Sequence, residues 1–473
     1  MKSSLGLSLA AAAGILLALI HGRAPTPVTA ADSESRPNVL VIMTDDQTVE
    51  EMRVLPKTRA LLAEEGTSFA NSFVAYPLCC PSRSTFLTGQ YAHNHGVLAN
   101  GGANGGYQRL DHSNTLPVWL QEAGYYTAHL GKYLNNYGVD SPEAPPGWSR
   151  WFGLIDPSTY KLYGYTVSDD GVPVTHGDRA ADYQTDVLAK EAERILRSRA
   201  GESQPFFVTV APIAPHLERI GGKQVAPRAA PRYAGRFANE PFPARPSFNE
   251  PDVGDKPDHI RKLPALNAAK AARETAIYRA RLASLLAVDD LVERLVKALA
   301  DTGQLEETVI FFTSDNGFLL GEHRILDMKY YPYEESIRVP LIIRGGGFPA
   351  GATAAQPVSN VDLAPTIVAL TGAKARRVMD GRPLLPLALD PQQGKDRTLL
   401  IEALAPGKID YRAVRAPGWF YAEYSNGGRE LYDLEKDPFE LRSRHAAPAL
   451  AAVRGDLARR LARLRTCAGQ SCR

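Results

Sequence analysis

The sequence predicts an α/β fold in which a large central sheet, mixed but mostly parallel, is sandwiched by helices, with a small C-terminal α+β subdomain beyond it. Two observations carry that reading. Over residues 36–386 short apolar, β-branched runs alternate with helical patterns, as in sheets covered on both faces. From 387 to 473 the pattern changes to closely spaced short strands and one closing helix.

The elements follow in order. "NVLVIMTDD" (Asn38 to Asp46), "YTAHLGK" (Tyr126 to Lys132), "PFFVTVAP" (Pro205 to Pro212), "TVIFFTSDNG" (Thr308 to Gly317) and "VPLIIRG" (Val339 to Gly345) read as buried strands. Leu282, Leu285, Leu286, Leu291, Leu295 and Leu299 recur on a helical period that closes at Gly303. From about Leu217 to Leu266 periodicity gives way to Pro, Ala, Gly and Arg, which reads as a surface excursion around a substrate cleft. Its cations Lys223, Arg228, Arg232 and Arg236 suit either a polyanion or plain solvation. Tyr411 to Glu440 reads as short antiparallel strands, and Leu450 to Arg465 as the closing helix.

Ahead of these elements, Lys2, the apolar run Leu5 to Ile20 and "TPVTAAD" form a signal peptide over residues 1–30, with cleavage near Ala30. The run is short for a membrane span, so the expectation is a secreted, extracellular protein without membrane contact after cleavage. Basic and acidic residues number 54 and 52, which excludes the strongly basic footprint of a nucleic-acid binder. Four cysteines are too few for a disulfide scaffold, so an apolar core must hold the fold. Cys467 and Cys472 have the spacing of a local loop that an oxidising compartment would close. Cys79 and Cys80 are adjacent and cannot easily bridge each other, so they need another explanation.

In an open α/β sheet, functional groups gather beyond the carboxyl ends of the strands. The first predicted strand runs into Asp45 and Asp46, and the one at Thr308 into Asp315 and Asn316. Either pair alone could be a turn or a helix cap. If the two strands are neighbours, four hard oxygen donors converge, a set that suits Ca²⁺, with Mg²⁺ as the alternative, and suits Zn²⁺ poorly.

Cys79-Cys80-Pro81-Ser82-Arg83, continued by "STFLTG", resembles the C-x-P-S-R signature of the sulfatase family. Only Cys79 has Pro two and Arg four positions on; Cys80 is then a small buried thiol. The resemblance extends through "GK" at Gly131-Lys132, "APH" at Ala214 to His216, "TSDNG" at Thr313 to Gly317, "GEHRILDMK" at Gly321 to Lys329 and "ELYDLEKDP" near the C-terminus. "CCPSRSTFLTGQYAHNHGV" and "GKYLNNYG" are most similar to the N-acetylglucosamine-6-sulfatase and extracellular heparan sulfatase branch.

The resemblance implies an alkaline-phosphatase-like sheet and an enzyme that hydrolyses sulfate esters, most specifically the 6-O-sulfate of N-acetylglucosamine in glycosaminoglycan-type sugars. It implies that Cys79 is oxidised to formylglycine by a formylglycine-generating enzyme, and that a divalent cation is held by Asp45, Asp46, Asp315 and Asn316 against residue 79. Arg83 would orient the formylglycine, Lys132 and Lys329 would clamp the sulfate, and His216 would protonate the leaving oxygen. One position departs from the family. Leu134 stands where many sulfatases carry a histidine that contacts the formylglycine hydroxyl, a change the resembled glucosamine branch shares, so either the role is dispensable or another group takes it, with His95, ahead of His93 and Asn94, as the candidate, and His323 is expected to line the pocket. A general arylsulfatase, a phosphatase or phosphodiesterase of the same superfold, and a polysaccharide-binding protein with unmodified Cys79 are the alternatives. The signature register speaks against the second, and the intact charged set against the third.

Overall fold

The computed structural model describes residue 1 and residues 36–473, apart from positions 244, 406 and 408. The expected signal peptide lies outside the described residues. At the centre is a ten-stranded sheet in the order Ala352–Ala354, Gly66–Phe69, Leu341–Arg344, Thr308–Ser314, Asn38–Thr44, Phe206–Ala211, Tyr126–Gly131, Arg150–Leu154, Thr166–Asp169 and Val172–Thr175. Its middle is parallel, from Thr308–Ser314 through Asn38–Thr44, Phe206–Ala211 and Tyr126–Gly131 to Arg150–Leu154. Antiparallel pairs extend it on both sides. All five strands read from the sequence lie in this sheet. Gly66–Phe69, Ala352–Ala354 and the three at 150–175 were not read, because they are short and half-polar or lie near an edge.

The side-chain period of two assigns each strand to two cores. Leu40 and Ile42 pack into one, with Leu188, Leu282, Leu285 and Leu291 from the helices Gln184–Ser198 and Ala268–Asp301. Val39 and Val41 pack into the other, with Phe86, Trp119 and Ile367 from Cys79–Thr88, Leu116–Glu122 and Leu363–Thr371. The helix at Ala268–Asp301 begins earlier than the leucine pattern alone indicates, at the Asn267 side chain that accepts from the Lys270 amide.

The region from Leu217 to Leu266 is an irregular excursion with a small hairpin, Glu218–Ile220 and Lys223–Val225, and short helical turns. Its basic residues are partly accounted for, since Arg228 pairs with Glu218 at 2.7 Å and Arg232 with Asp186 and Asp290. The C-terminal sheet pairs Leu399–Ala403, Tyr411–Ala416, Trp419–Tyr424 and Arg429–Asp433 in antiparallel order, with the helix Ala451–Leu464 against it. Cys467 and Cys472 form the expected disulfide. Among the described residues no helix is long and apolar enough to cross a membrane.

Candidate active site

Strand register builds the site. Thr44 pairs with Ser314, so Asp45-Asp46 and Asp315-Asn316 leave neighbouring strands at the same level, and Gly131 pairs with Ala211, so Lys132 emerges beside them. The glycines of "GK" and "DNG" are required by close approach: a Cβ on Gly131, at φ +100°, would sit 2.2 Å from the Ala211 carbonyl oxygen, and one on Gly317 2.1 Å from that of Glu335. Asp46 itself adopts φ 66°, in the left-handed region.

Cys79 is the first residue of the ten-residue helix Cys79–Thr88, fully buried, and its thiol donates to Asp45 Oδ1 at 3.7 Å. Three cations surround it. Lys132 Nζ lies 2.6 Å from Asp45 Oδ2 and 3.8 Å from Asp315 Oδ2, Lys329 Nζ lies 2.5 Å from Asp46 Oδ1, and Arg83 donates from Nε to Asp315 Oδ2 at 2.7 Å. Arg83 also donates from Nη1 to the Lys132 carbonyl, while its buried Nη2 has no partner among the described residues.

Burial alone would push the Asp45 and Asp46 carboxyls up, but Lys132 beside the first and Lys329 beside the second hold both below the usual carboxylate range. Burial pushes the Cys79 thiol up to about 11, so an unmodified cysteine here is a protonated, weak nucleophile at neutral pH. Cys80 is fully buried among apolar side chains, as a packing thiol.

Asn316 donates to Asp46 Oδ1 at 2.6 Å, which leaves Asp46 Oδ2 and Asn316 Oδ1 as buried oxygens without a hydrogen bond among the described residues. His216 Nδ1 donates to the Leu217 carbonyl at 2.6 Å, so Nε2 presents its lone pair to Asp46 Oδ2 at 3.4 Å. Two electron pairs facing each other in a buried site call for positive charge between or beside them. Asp45, Asp46, Cys79 and His216 each place a ligand atom within 4.8 Å of the others, and the oxygens of this cluster, Asp45 and Asp46 with the unpartnered Asn316 Oδ1, are the donors that fit a hard divalent cation. Burial and then Lys329 push His216 down to about 4, so its imidazole is neutral in this state.

The structure does not bring every expected residue here. His95 Nε2 faces Thr85 Oγ1 at 3.1 Å and its Nδ1 accepts from the Val97 amide, so both ring nitrogens are engaged away from Cys79. His93 faces Glu402 and the Cys467 carbonyl, and Asn94 donates to Asp380 and the same carbonyl; both tie the C-terminal subdomain down. His323 is buried against Glu250 and Tyr333 rather than exposed to a pocket. Leu134 is core. His93 and Asn94 share a cause: the turn after the signature helix folds back onto Asp380, Glu402 and Cys467.

Sequence reasoning missed Tyr160 and Arg281. The ring of Tyr160 stands 4.5 Å from that of His216 and 4.8 Å from Lys132 Nζ, and its hydroxyl accepts from Asn135. Arg281, fully buried on the long helix, donates to Glu51 at 2.7 Å and to the backbone carbonyls of Asp46 and Pro215, holding the two turns that bear Asp46 and His216. A lone Arg within a leucine pattern is the only signal the latter gives. Beside Tyr160 opens a cleft of about 980 Å³ whose lining includes Asn135, Asn136, Ser158, Lys161, Arg219 and Gln224.

Comparison with known proteins identifies the family. The sulfatase family model matches residues 37–373, and a model described as N-sulphoglucosamine sulphohydrolase, C-terminal, matches 321–467. Human N-acetylglucosamine-6-sulfatase is 35% identical, over 97% of this chain and 90% of that protein. The Drosophila melanogaster extracellular sulfatase SULF-1 homolog is 36% identical over 75% of this chain and 32% of its own, and a Volvox carteri arylsulfatase 34% identical over 94% and 77%. A solved structure described as in complex with its substrate D-glucosamine-2-N,6-O-disulfate superposes with a TM-score of 0.76 at 25% identity, over 90% of this chain and 97% of that one. The Agrobacterium radiobacter phosphonate monoester hydrolase, 23% identical with a TM-score of 0.67 over 91% and 95%, shares the fold. The chain belongs to the sulfatase family and is a sulfuric ester hydrolase.

Proposed function

We propose that this sulfatase is an exported enzyme that removes the 6-O-sulfate of N-acetylglucosamine-type units in glycosaminoglycan-like sugars, with Cys79 converted to formylglycine by a maturation enzyme and Ca²⁺ as its cation. The observation that carries the reading is the position of Cys79: the C-x-P-S-R cysteine heads a helix, ringed by Lys132, Lys329 and Arg83, next to a cleft lined by amides and hydroxyls that suit a sugar. The apolar leader and the disulfide support export.

A hydrated aldehyde at position 79 would supply two hydroxyls on one carbon, one to attack sulfur and one whose deprotonation expels sulfate. The cation, held by Asp45, Asp46, Asp315 and Asn316, would lower the attacking hydroxyl's pKa and neutralise sulfate charge. The remaining work belongs to the chain. Lys132 and Lys329 hold the sulfate oxygens, Arg83 fixes the first turn of the signature helix against Asp315, and the Arg281–Glu51 pair holds the Asp46 turn. His216, neutral at rest, would take up a proton from solvent on Nε2 as the arriving sulfate adds negative charge next to it, and pass that proton to the leaving oxygen.

The algal relatives named arylsulfatase support a second reading, a general enzyme on phenolic esters. The deciding experiment is desulfation of N-acetylglucosamine 6-sulfate, its 3-sulfate isomer and 4-nitrophenyl sulfate by the mature protein. The proposal expects kcat/KM on the 6-sulfate to exceed that on the isomer by at least tenfold; comparable values on both sugars, with nitrophenyl sulfate preferred, favour the arylsulfatase.

A further inference from the structure

A second set of ligating side chains lies apart from the catalytic centre. His323, Glu335 and Glu440 each place a ligand atom within 4.8 Å of the others. They come from the loop that follows Thr308–Ser314, from the short helix Glu334–Ile337 and from the segment after Arg429–Asp433. His323 is fully buried and stacks on Tyr333 with ring centroids 4.0 Å apart. Its Nδ1 faces Glu250 Oε2 at 2.7 Å; a carboxylate there fixes the proton on Nδ1 and leaves Nε2 a lone pair, which has no partner among the described residues. Glu440, 1% exposed, accepts the Glu334 amide on Oε2 at 2.9 Å, and its Oε1 has no partner among the described residues either.

The charges facing this cluster do not balance it. Lys256 Nζ stands 3.5 Å from Glu250 Oε1 and donates to the Glu440 backbone carbonyl, and Arg245 Nη1 stands 3.6 Å from Glu335 Oε1. Those two cations answer Glu250 and Glu335. Among the described residues the Glu440 carboxylate has no ion-pair partner, and its Oε1 points into the cluster unpaired. An imidazole oriented by a carboxylate through its other nitrogen is the arrangement by which proteins present histidine to a metal.

We propose that His323, Glu335 and Glu440 bind a second divalent cation, of the nitrogen-accepting zinc or manganese type, with Glu250 holding the imidazole in the ligating tautomer. Small side-chain adjustments bring the three ligand atoms to the distance of about 2.0–2.2 Å that zinc requires. The one His and two carboxylates distinguish the site from the all-oxygen preference of calcium. Its consequence is mechanical: the segment between His323 and Glu335 carries Lys329, so this cation anchors both ends of that segment to the C-terminal subdomain.

The test is a metal count on the full chain, stripped with chelator and then equilibrated with Zn²⁺ in the presence of excess Ca²⁺, which fills the catalytic centre. The expected result is one zinc per chain in the wild type and in Asp46→Asn, and none in His323→Asn or Glu440→Gln. No zinc in the wild type, zinc lost in Asp46→Asn, or zinc retained by both His323→Asn and Glu440→Gln would overturn the proposal. If circular dichroism shows one of the latter two variants to be unfolded, the wild type, Asp46→Asn and the other variant decide.

Discussion

At the scale of single residues, the site depends on side chains whose charge is needed where no solvent can supply it. Lys132 and Lys329 are buried beside Asp45 and Asp46, and both ammonium groups are held well above their ordinary pKa by those carboxylates against the cost of burial. Lys132→Ala should therefore lower kcat by about 10²–10³, the scale of one lost donor to a developing anion. Steady-state kinetics on 4-nitrophenyl sulfate read this directly. His216 makes a sharper prediction, because a sugar alkoxide needs a proton on leaving and nitrophenolate does not. His216→Ala should cost about 10²–10⁴ in kcat on a sulfated sugar and less than tenfold on 4-nitrophenyl sulfate. Equal losses on both would make His216 a structural residue.

At the scale of elements, the site is a consequence of register. Two strands more than 260 residues apart in sequence pair so that Thr44 meets Ser314, and four donors then leave one edge of the sheet together. The long helix Ala268–Asp301 fixes that arrangement through Arg281, whose guanidinium is fully buried against Glu51. Arg281→Met leaves Glu51 buried and unpaired and should cost about 3–5 kcal/mol in denaturant unfolding, whereas Arg281→Met with Glu51→Leu should recover most of it. Activity should stay low in both, because the Asp46 and Pro215 carbonyls have lost their donor.

Legibility follows the same division. The five apolar strands and the leucine helix are legible because periodicity and β-branched runs report burial directly. Asp45, Asp46, Asp315 and Asn316 were legible because they end strands. The short strands at 150–175 were not, since their pattern is broken by Asp169, Asp170 and Gly171. His95 was misplaced because a residue following the signature helix can point toward the site or away from it, and only the fold-back onto Asp380 and Glu402 decides that. Tyr160 carries no local signal at all; its place beside His216 and Lys132 comes from where an irregular segment passes.

At the scale of the whole molecule, the C-terminal subdomain is joined to the catalytic sheet by polar ties as well as by a shared apolar cluster that includes Phe73, Tyr330 and Tyr411. His93 is one tie. Burial pulls its pKa down, but the hydrogen bond to Glu402 outweighs this and the net shift is upward. A folded pKa above the unfolded value of about 6.5 means the contribution is complete below that pH and is lost as pH rises through the folded value. His93→Gln should therefore flatten the fall in thermal stability from neutral to mildly alkaline pH, measured by calorimetry. The disulfide is a second tie. It closes a loop of sequence separation 5, so Cys467→Ser with Cys472→Ser should cost no more than about 2 kcal/mol and leave activity intact.

The central claim is that residue 79 is the nucleophile and acts as an aldehyde, and the most direct measurement is the mass of the peptide that spans Cys79, taken from protein secreted by its own host. The account predicts a mass in which the Cys79 thiol is replaced by an aldehyde while Cys80 is unchanged. A peptide with both thiols intact, in a preparation that still hydrolyses sulfate esters, would contradict it.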